Sequence, residues 1–137
     1  MKISANRYNK AYFDTWYRNP KKRIITPSLI AKKAHLVVAV AEYYLGRQVR
    51  TALDVGCGEG AWLPALRKLR PRLRYTGVDP SAYVIQRFGK TRNLIPGSFG
   101  DLPKLARSYD LIICSDCLYY VPDEELVVGL EILAHHL

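Results

Sequence analysis

The sequence has little of several things that would define a specialised class. It holds three cysteines in 137 residues, and an odd, small number does not make a disulfide framework. A reducing, cytoplasmic setting is the expectation. No apolar run approaches the roughly 20 residues needed to span a bilayer, so no membrane partner is expected. The opening MKISANRYNKAYF lacks the apolar core of an export signal. Internal repeats and low-complexity stretches are absent too, which excludes solenoids and disordered tails. No second cysteine or histidine pair stands at ligand spacing beside the C-x-x-C of Cys114 and Cys117, so a structural zinc site would lack its four ligands, and no metal is expected.

What is present suits one globular domain, with 49% hydrophobic and 24% charged residues. The formal charge of +9 is unevenly placed. Residues 1–50 carry eleven Lys/Arg against two Asp/Glu, while residues 51–137 carry ten of each. Two readings follow for the basic first third: a solvated helical surface, or a contact for an anionic partner such as nucleic acid. The three-residue cluster Lys21-Lys22-Arg23 is shorter than the runs that mark nucleic-acid arms.

Along the chain, Tyr8, Tyr12 and Trp16 recur every four residues, as do Phe13 and Tyr17, which predicts one aromatic helix face. Asn19-Pro20 ends that helix. The aromatic stretch is read as packing or as a lid carrying Tyr12, Trp16 and Tyr17. Stacking on nucleic-acid bases is the other reading. Residues 1–26 thus form an extension, and residues 27–137 the main domain.

Thr26-Pro27 reads as a helix cap followed by proline at the first position. The helix runs over Ser28–Leu45, with Leu29, Leu36, Val37, Val40 and Tyr44 as its apolar face, and Gly46 stops it. Strands are then predicted at Thr51–Val55, Leu73–Val78, Asn93–Ile95 and Asp110–Ser115. Helices are predicted at Ala61–Leu69, Ser81–Phe88 and Pro122–Leu137, with at most a short one over Asp101–Ala106. His135 and His136 fall at the end of the last helix, where imidazolium suits the dipole. Strand–helix alternation makes this a Rossmann-like, doubly wound parallel α/β sheet.

The chemistry concentrates where the first strand meets Gly56-Cys57-Gly58-Glu59-Gly60. In such sheets ligands bind beyond the carboxyl ends of the strands. Glycines there permit positive φ and close backbone approach. Asp79 ends the second strand, 25 positions after Asp54, and a carboxylate on that rim can accept from both hydroxyls of a ribose. Loop plus acid is a nucleoside site. The glycines fall as G-x-G-x-G rather than the dinucleotide G-x-G-x-x-G, and Asp54 stands two residues ahead of the first. A carboxylate there would repel a pyrophosphate and suits a cationic, phosphate-free nucleoside. A nicotinamide oxidoreductase is disfavoured on the same ground.

LDVGCGEG at 53–60 resembles motif I of the class I S-adenosylmethionine-dependent methyltransferases. GVDPS at 77–81, GSFGDLP at 97–103 and YDLIICSDCLYYVPD at 109–123 are similar to their second, third and fourth motifs. The resemblance covers roughly residues 28–137. It implies S-adenosyl-L-methionine as cofactor, with Gly56, Cys57, Gly58 and Gly60 along its methionine part. Asp54 would support the loop or meet the ammonium through water. Asp79 would take the ribose, Pro80, Ser98 and Phe99 the adenine, and Cys114 and Ser115 would offer carbonyls to the ammonium. Many relatives have Asp where this chain has Ser98. Asp116 and Tyr119 are the candidates for a catalytic base, and Tyr119 stands where relatives face the transferred methyl. Bound cofactor is expected to slow alkylation of Cys57.

A small-molecule acceptor is the expected partner. An RNA methyltransferase and a non-catalytic adenosylmethionine-binding module are the alternatives. The family's sheet usually has seven strands, so Asp110–Ser115 would be left as a bare edge. A longer polypeptide, a homodimer covering the edge, and a minimal domain would each account for that.

Overall fold

The computed structural model describes residues 7–105 and 108–137. Ahead of the sheet come helix α1 (Lys10–Phe13), continued as a wider π-helical segment over Asp14–Arg18, and helix α2 (Pro27–Leu45). Strand β1 (Thr51–Val55), helix α3 (Trp62–Leu69), strand β2 (Arg74–Asp79), helix α4 (Ala82–Arg92) and strand β3 (Leu94–Pro96) follow. Strand β4 (Leu111–Ile113), a 3₁₀ turn at Leu118–Tyr120 and helix α5 (Asp123–Ala134) complete the order. No helix among the described residues is long and apolar enough to cross a membrane.

All strand pairs are parallel, in the order β3-β2-β1-β4. The chain winds one way from β1 to β3 and then returns to the other side of β1. Beyond the carboxyl ends of β1 and β4, where the winding reverses, the connecting loops diverge and open a crevice.

The pleat of β1 sorts the core into two layers. Ala52 packs with Ile30, Ala34 and Val38 of α2, Leu63 and Leu66 of α3 and Val84 of α4. Leu53 and Val55 face the opposite way, with Val78, Phe99, Leu105 and Leu133 of α5. Phe13 lies in the first layer, so the N-terminal extension shares its core with residues 27–137.

Local chemistry sets the helix ends. The Thr26 hydroxyl accepts from the Leu29 N–H at 3.2 Å, and Gly46 terminates α2 in the left-handed region at φ 64°, two caps of the expected kind. Asp123, Glu124 and Glu125 occupy the first turn of α5, favourable to the dipole.

Three expectations need correction. The face of α2 predicted to be buried is largely its outer one: Leu36 is 65% exposed and Tyr44 83%. Ile30, Ala34 and Val38, spaced by four, meet the sheet instead. No helix forms at Asp101–Leu105; Asp101 pairs back on Ser98 in an isolated antiparallel bridge, and Ala106 lies outside the described residues. Strand β4 is shorter than expected. Asp110 precedes it as an anchor, accepting from Arg47 and from the N–H groups of Arg50 and Thr51.

Candidate functional site

The turn after β1 is pinned to the end of β2. The N–H groups of Gly56 and Cys57 both donate to the Val78 carbonyl, at 2.8 and 3.1 Å. Gly56, Gly58 and Gly60 have φ of 70°, 53° and 76°, a region that costs other residues roughly 1–2 kcal/mol each. At Gly58 a second reason applies: a Cβ there would stand 2.5 Å from the Tyr17 hydroxyl.

Asp79 is buried and staples two loops. One carboxylate oxygen accepts from the Gly58 N–H at 2.8 Å and the other from the Ser81 N–H at 2.9 Å. Burial pushes its carboxyl above the ordinary value, against the pull of these two bonds. Each oxygen retains acceptor capacity toward the crevice.

The crevice is a cavity of about 630 Å³, within the size of small-molecule sites. Gly56, Gly58, Asp79 and Pro80 form its floor, and Ser98 and Phe99 after β3 form one wall. Ser115, Asp116 and Tyr119 after β4 form the other. The roof is the N-terminal extension, through Tyr8, Tyr12, Phe13 and Tyr17. Two contacts hold the roof down. Arg18 donates to both carboxylate oxygens of Glu59 in the glycine loop, at 2.7 and 2.9 Å, and the Ser81 hydroxyl donates to the Tyr8 carbonyl. Of the expected lid residues, Tyr12 and Tyr17 reach the cavity, while Trp16 points to solvent.

Four expected residues stand behind the lining rather than in it. Asp54 is 1% exposed, and the Tyr75 hydroxyl donates to it at 2.6 Å. Burial pushes its carboxyl up to about 7, with buried Asp79 adding to the effect and the Tyr75 bond opposing it. Cys57 is wedged against Gly77, and Gly60 against Leu94 and Arg92. The Cys114 thiol is pushed up to about 11 by burial. Burial also raises the Cys57 thiol well above its usual range, so slow alkylation there is expected with or without a ligand.

The two candidate bases are poorly poised. Lys33 at 2.7 Å and the Ser115 hydroxyl at 2.8 Å both donate to the Asp116 carboxylate, holding it below the usual range. Hydrogen bonding to Tyr120 pushes Tyr119 up to about 12. Sequence reasoning missed the Arg18–Glu59 bridge, Tyr8, Tyr120, Asp101 and Glu125. The last four also line the cavity. Glu59 was visible inside the glycine motif, but nothing marked its partner 41 residues upstream.

Residues 27–130 match a family model described as a methyltransferase domain. The chain belongs to that family. Several solved structures share the fold of this methyltransferase domain. The plantazolicin methyltransferase BpumL, in complex with a pentazolic desmethylPZN analogue and SAH, superposes with a TM-score of 0.72 at 24% identity, over 97% of this chain and 55% of its own. The sugar N-methyltransferase KedS8 of a Streptoalloteichus species gives 0.71 at 25% identity, over 91% and 49%. CalS10 of Micromonospora echinaspora, a SAM-bound amino pentose methyltransferase, gives 0.64 at 21%, over 79% and 46%. The chain therefore spans about half the length of these structures. No curated protein matches it.

Proposed function

We propose that the chain binds S-adenosylmethionine in the crevice and serves methyl transfer to a small-molecule acceptor. The observation that carries this reading is Asp79. It is a buried carboxylate with both oxygens anchored by backbone N–H groups, set at the cavity floor beside a side-chain-free turn. That arrangement presents a fixed acceptor pair to vicinal hydroxyls, beside a turn whose Gly56 and Gly58 lie at the cavity surface.

In this reading Gly56 and Gly58 flank the methionine part and Asp79 holds the ribose. Pro80, Ser98 and Phe99 border the adenine, with the Ser98 hydroxyl as acceptor for its amino group. The Ser115 carbonyl faces the ammonium, with Cys114 behind it. Cys57, Gly60 and Asp54 act from behind, Asp54 as a negative charge under the loop whose ionised form a cationic ligand favours. The cofactor supplies a methyl group activated on a sulfonium. The protein binds, orients and excludes water. Tyr12, Phe13 and Tyr17 provide the exclusion, clamped by Arg18 and Glu59. Asp116 binds a proton too weakly, and Tyr119 holds its own too tightly, for either to serve as a base near neutral pH, so any proton the acceptor carries leaves to water rather than to a side chain. The solved neighbours described as acting on plantazolicin and on sugars favour a small acceptor.

Calorimetry with S-adenosylhomocysteine and with NAD tests this directly. Heat from the first and none from the second is the expected result. Heat from NAD alone, or none from adenosylhomocysteine, would overturn it.

A further inference from the structure

The cavity mouth has a chemistry that its floor does not explain. Four tyrosines from two distant segments meet there. Tyr8 and Tyr12 come from the N-terminal extension, and Tyr119 and Tyr120 from the 3₁₀ turn after β4. The Tyr8 ring stands edge-on to Tyr12 at 5.1 Å and to Tyr120 at 6.4 Å between centroids, and Tyr119 and Tyr120 are 4.2 Å apart. These rings border the same cavity as the carboxylates of Asp101, Asp116 and Glu125. Among the described residues, no lysine, arginine or histidine lines it. Lys33 neutralises Asp116 from outside. No cationic side chain among the described residues pairs with Asp101 or Glu125.

Aromatic faces arranged as a cage attract cations, and two uncompensated carboxylates at the same mouth add a field of the same preference. A carboxylate or phosphate acceptor would meet repulsion here, and an alcohol would gain nothing from it. On the basis of this tyrosine cage and acidic rim, we infer that the methyl acceptor is an amine, bound at the mouth as an ammonium ion. The inference rests on the proposed cofactor reading and adds the class of substrate to it. The chemistry balances with no further reactant. The ammonium loses one proton to water at the open mouth, where Tyr119 is 67% exposed. The freed nitrogen lone pair then forms the N–C bond as the S–C electron pair returns to sulfur. The methylated ammonium can shed its remaining acidic proton to water.

The test uses three probes that share a cyclohexyl ring, cyclohexylamine, cyclohexanol and cyclohexanecarboxylate, titrated into the chain saturated with S-adenosylhomocysteine and followed by amide chemical shifts. Cyclohexylamine should bind at least about tenfold more tightly than cyclohexanol, equal to about 1.4 kcal/mol, and cyclohexanecarboxylate most weakly. Glu125→Gln, a near-isosteric change at a half-buried position in the first turn of α5, should remove about half of that preference in logarithmic terms, and Tyr119→Leu a comparable part. Equal binding of amine and alcohol with adenosylhomocysteine bound, or a preference that survives both substitutions, would overturn the acceptor assignment while leaving the cofactor reading intact. Failure to bind adenosylhomocysteine would take both down.

Discussion

Replacing Asp79 by Asn separates a cofactor ligand from a structural staple. The native carboxylate accepts from Gly58 and Ser81 at 2.8 and 2.9 Å. An amide retains one acceptor oxygen and turns an NH₂ toward the other backbone donor, so one charge-assisted bond is lost, at roughly 1.5–3 kcal/mol. Opposing this, the variant no longer buries a carboxylate whose ionised form burial already disfavours. The two effects partly cancel, and the ligand-free protein should lose only about 1 kcal/mol. Binding should suffer more. A ribose that donates two hydroxyls to the carboxylate would keep one good acceptor, losing a further 1.5–3 kcal/mol or so, about ten- to a hundredfold in affinity for adenosylhomocysteine. Calorimetry measures the affinity and thermal denaturation the stability. Because the loop itself leans on Asp79, the 2′-deoxy analogue of adenosylhomocysteine closes the cycle. Removing the 2′-hydroxyl should weaken binding to the native chain by about tenfold but binding to Asp79→Asn by no more than about twofold. An affinity within twofold of native, or a full deoxy penalty in the variant, would refute the ribose assignment.

Two further outcomes follow from the buried charges and the roof. Burial holds the Asp54 carboxyl up to about 7 against an ordinary value of 3.8, so the folded state retains a proton the unfolded chain releases, and Asp54 costs stability progressively as pH rises from about 4 to about 7. Asp54→Asn should flatten the stability profile across that window, and parallel native and variant profiles from urea denaturation would count against it. Arg18→Ala removes both bonds to Glu59; because Arg18 is half-exposed, the loss of global stability should stay near 0.5–1 kcal/mol. Amide exchange over Tyr12–Arg18 should nevertheless rise several-fold, and unchanged exchange would mean the bridge does not hold the roof.

Much of the sheet was legible because its signals are local. Thr51–Val55 is a short segment, apolar at Ala52, Leu53 and Val55 and closed by glycine, and the strand limits coincide with the prediction. Asp79 and the glycine turn were legible for the same reason, since ligand geometry in a parallel sheet depends on which residue ends each strand. The roof was legible only as a periodicity. Tyr12 and Tyr17 fell where an aromatic face predicts, but their destination over the cavity depends on Arg18 finding Glu59 and Ser81 finding the Tyr8 carbonyl. Pairs separated by 41 and 73 positions leave no trace in either residue's neighbourhood. Asp54 was legible only in part: its place in the motif marks it as support for the loop or as a charge for a ligand, and the pleat turns it inward, onto Tyr75.

Helix α2 explains why a correct periodicity can name the wrong surface. It carries two apolar stripes. Ile30, Ala34 and Val38 bury because the small Ala34 lets the helix backbone approach the sheet, and a small residue adds little to a hydrophobic face when it is weighed by size. Leu36, Val40 and Tyr44 form the bulkier stripe and stand exposed. Its position is fixed at both ends: Lys33 pairs with Asp116 just after β4, and Arg47 with Asp110 just before it. These pairs tie the helix to both flanks of β4, whose far edge has no strand partner among the described residues. On α5, Val127, Val128, Leu130 and Ile132 are exposed as well. Hydrophobic period measures how much surface asks to be buried. Which neighbour buries it is decided by backbone approach and by long-range ion pairs, and in α2 those two assign the smaller stripe to the sheet.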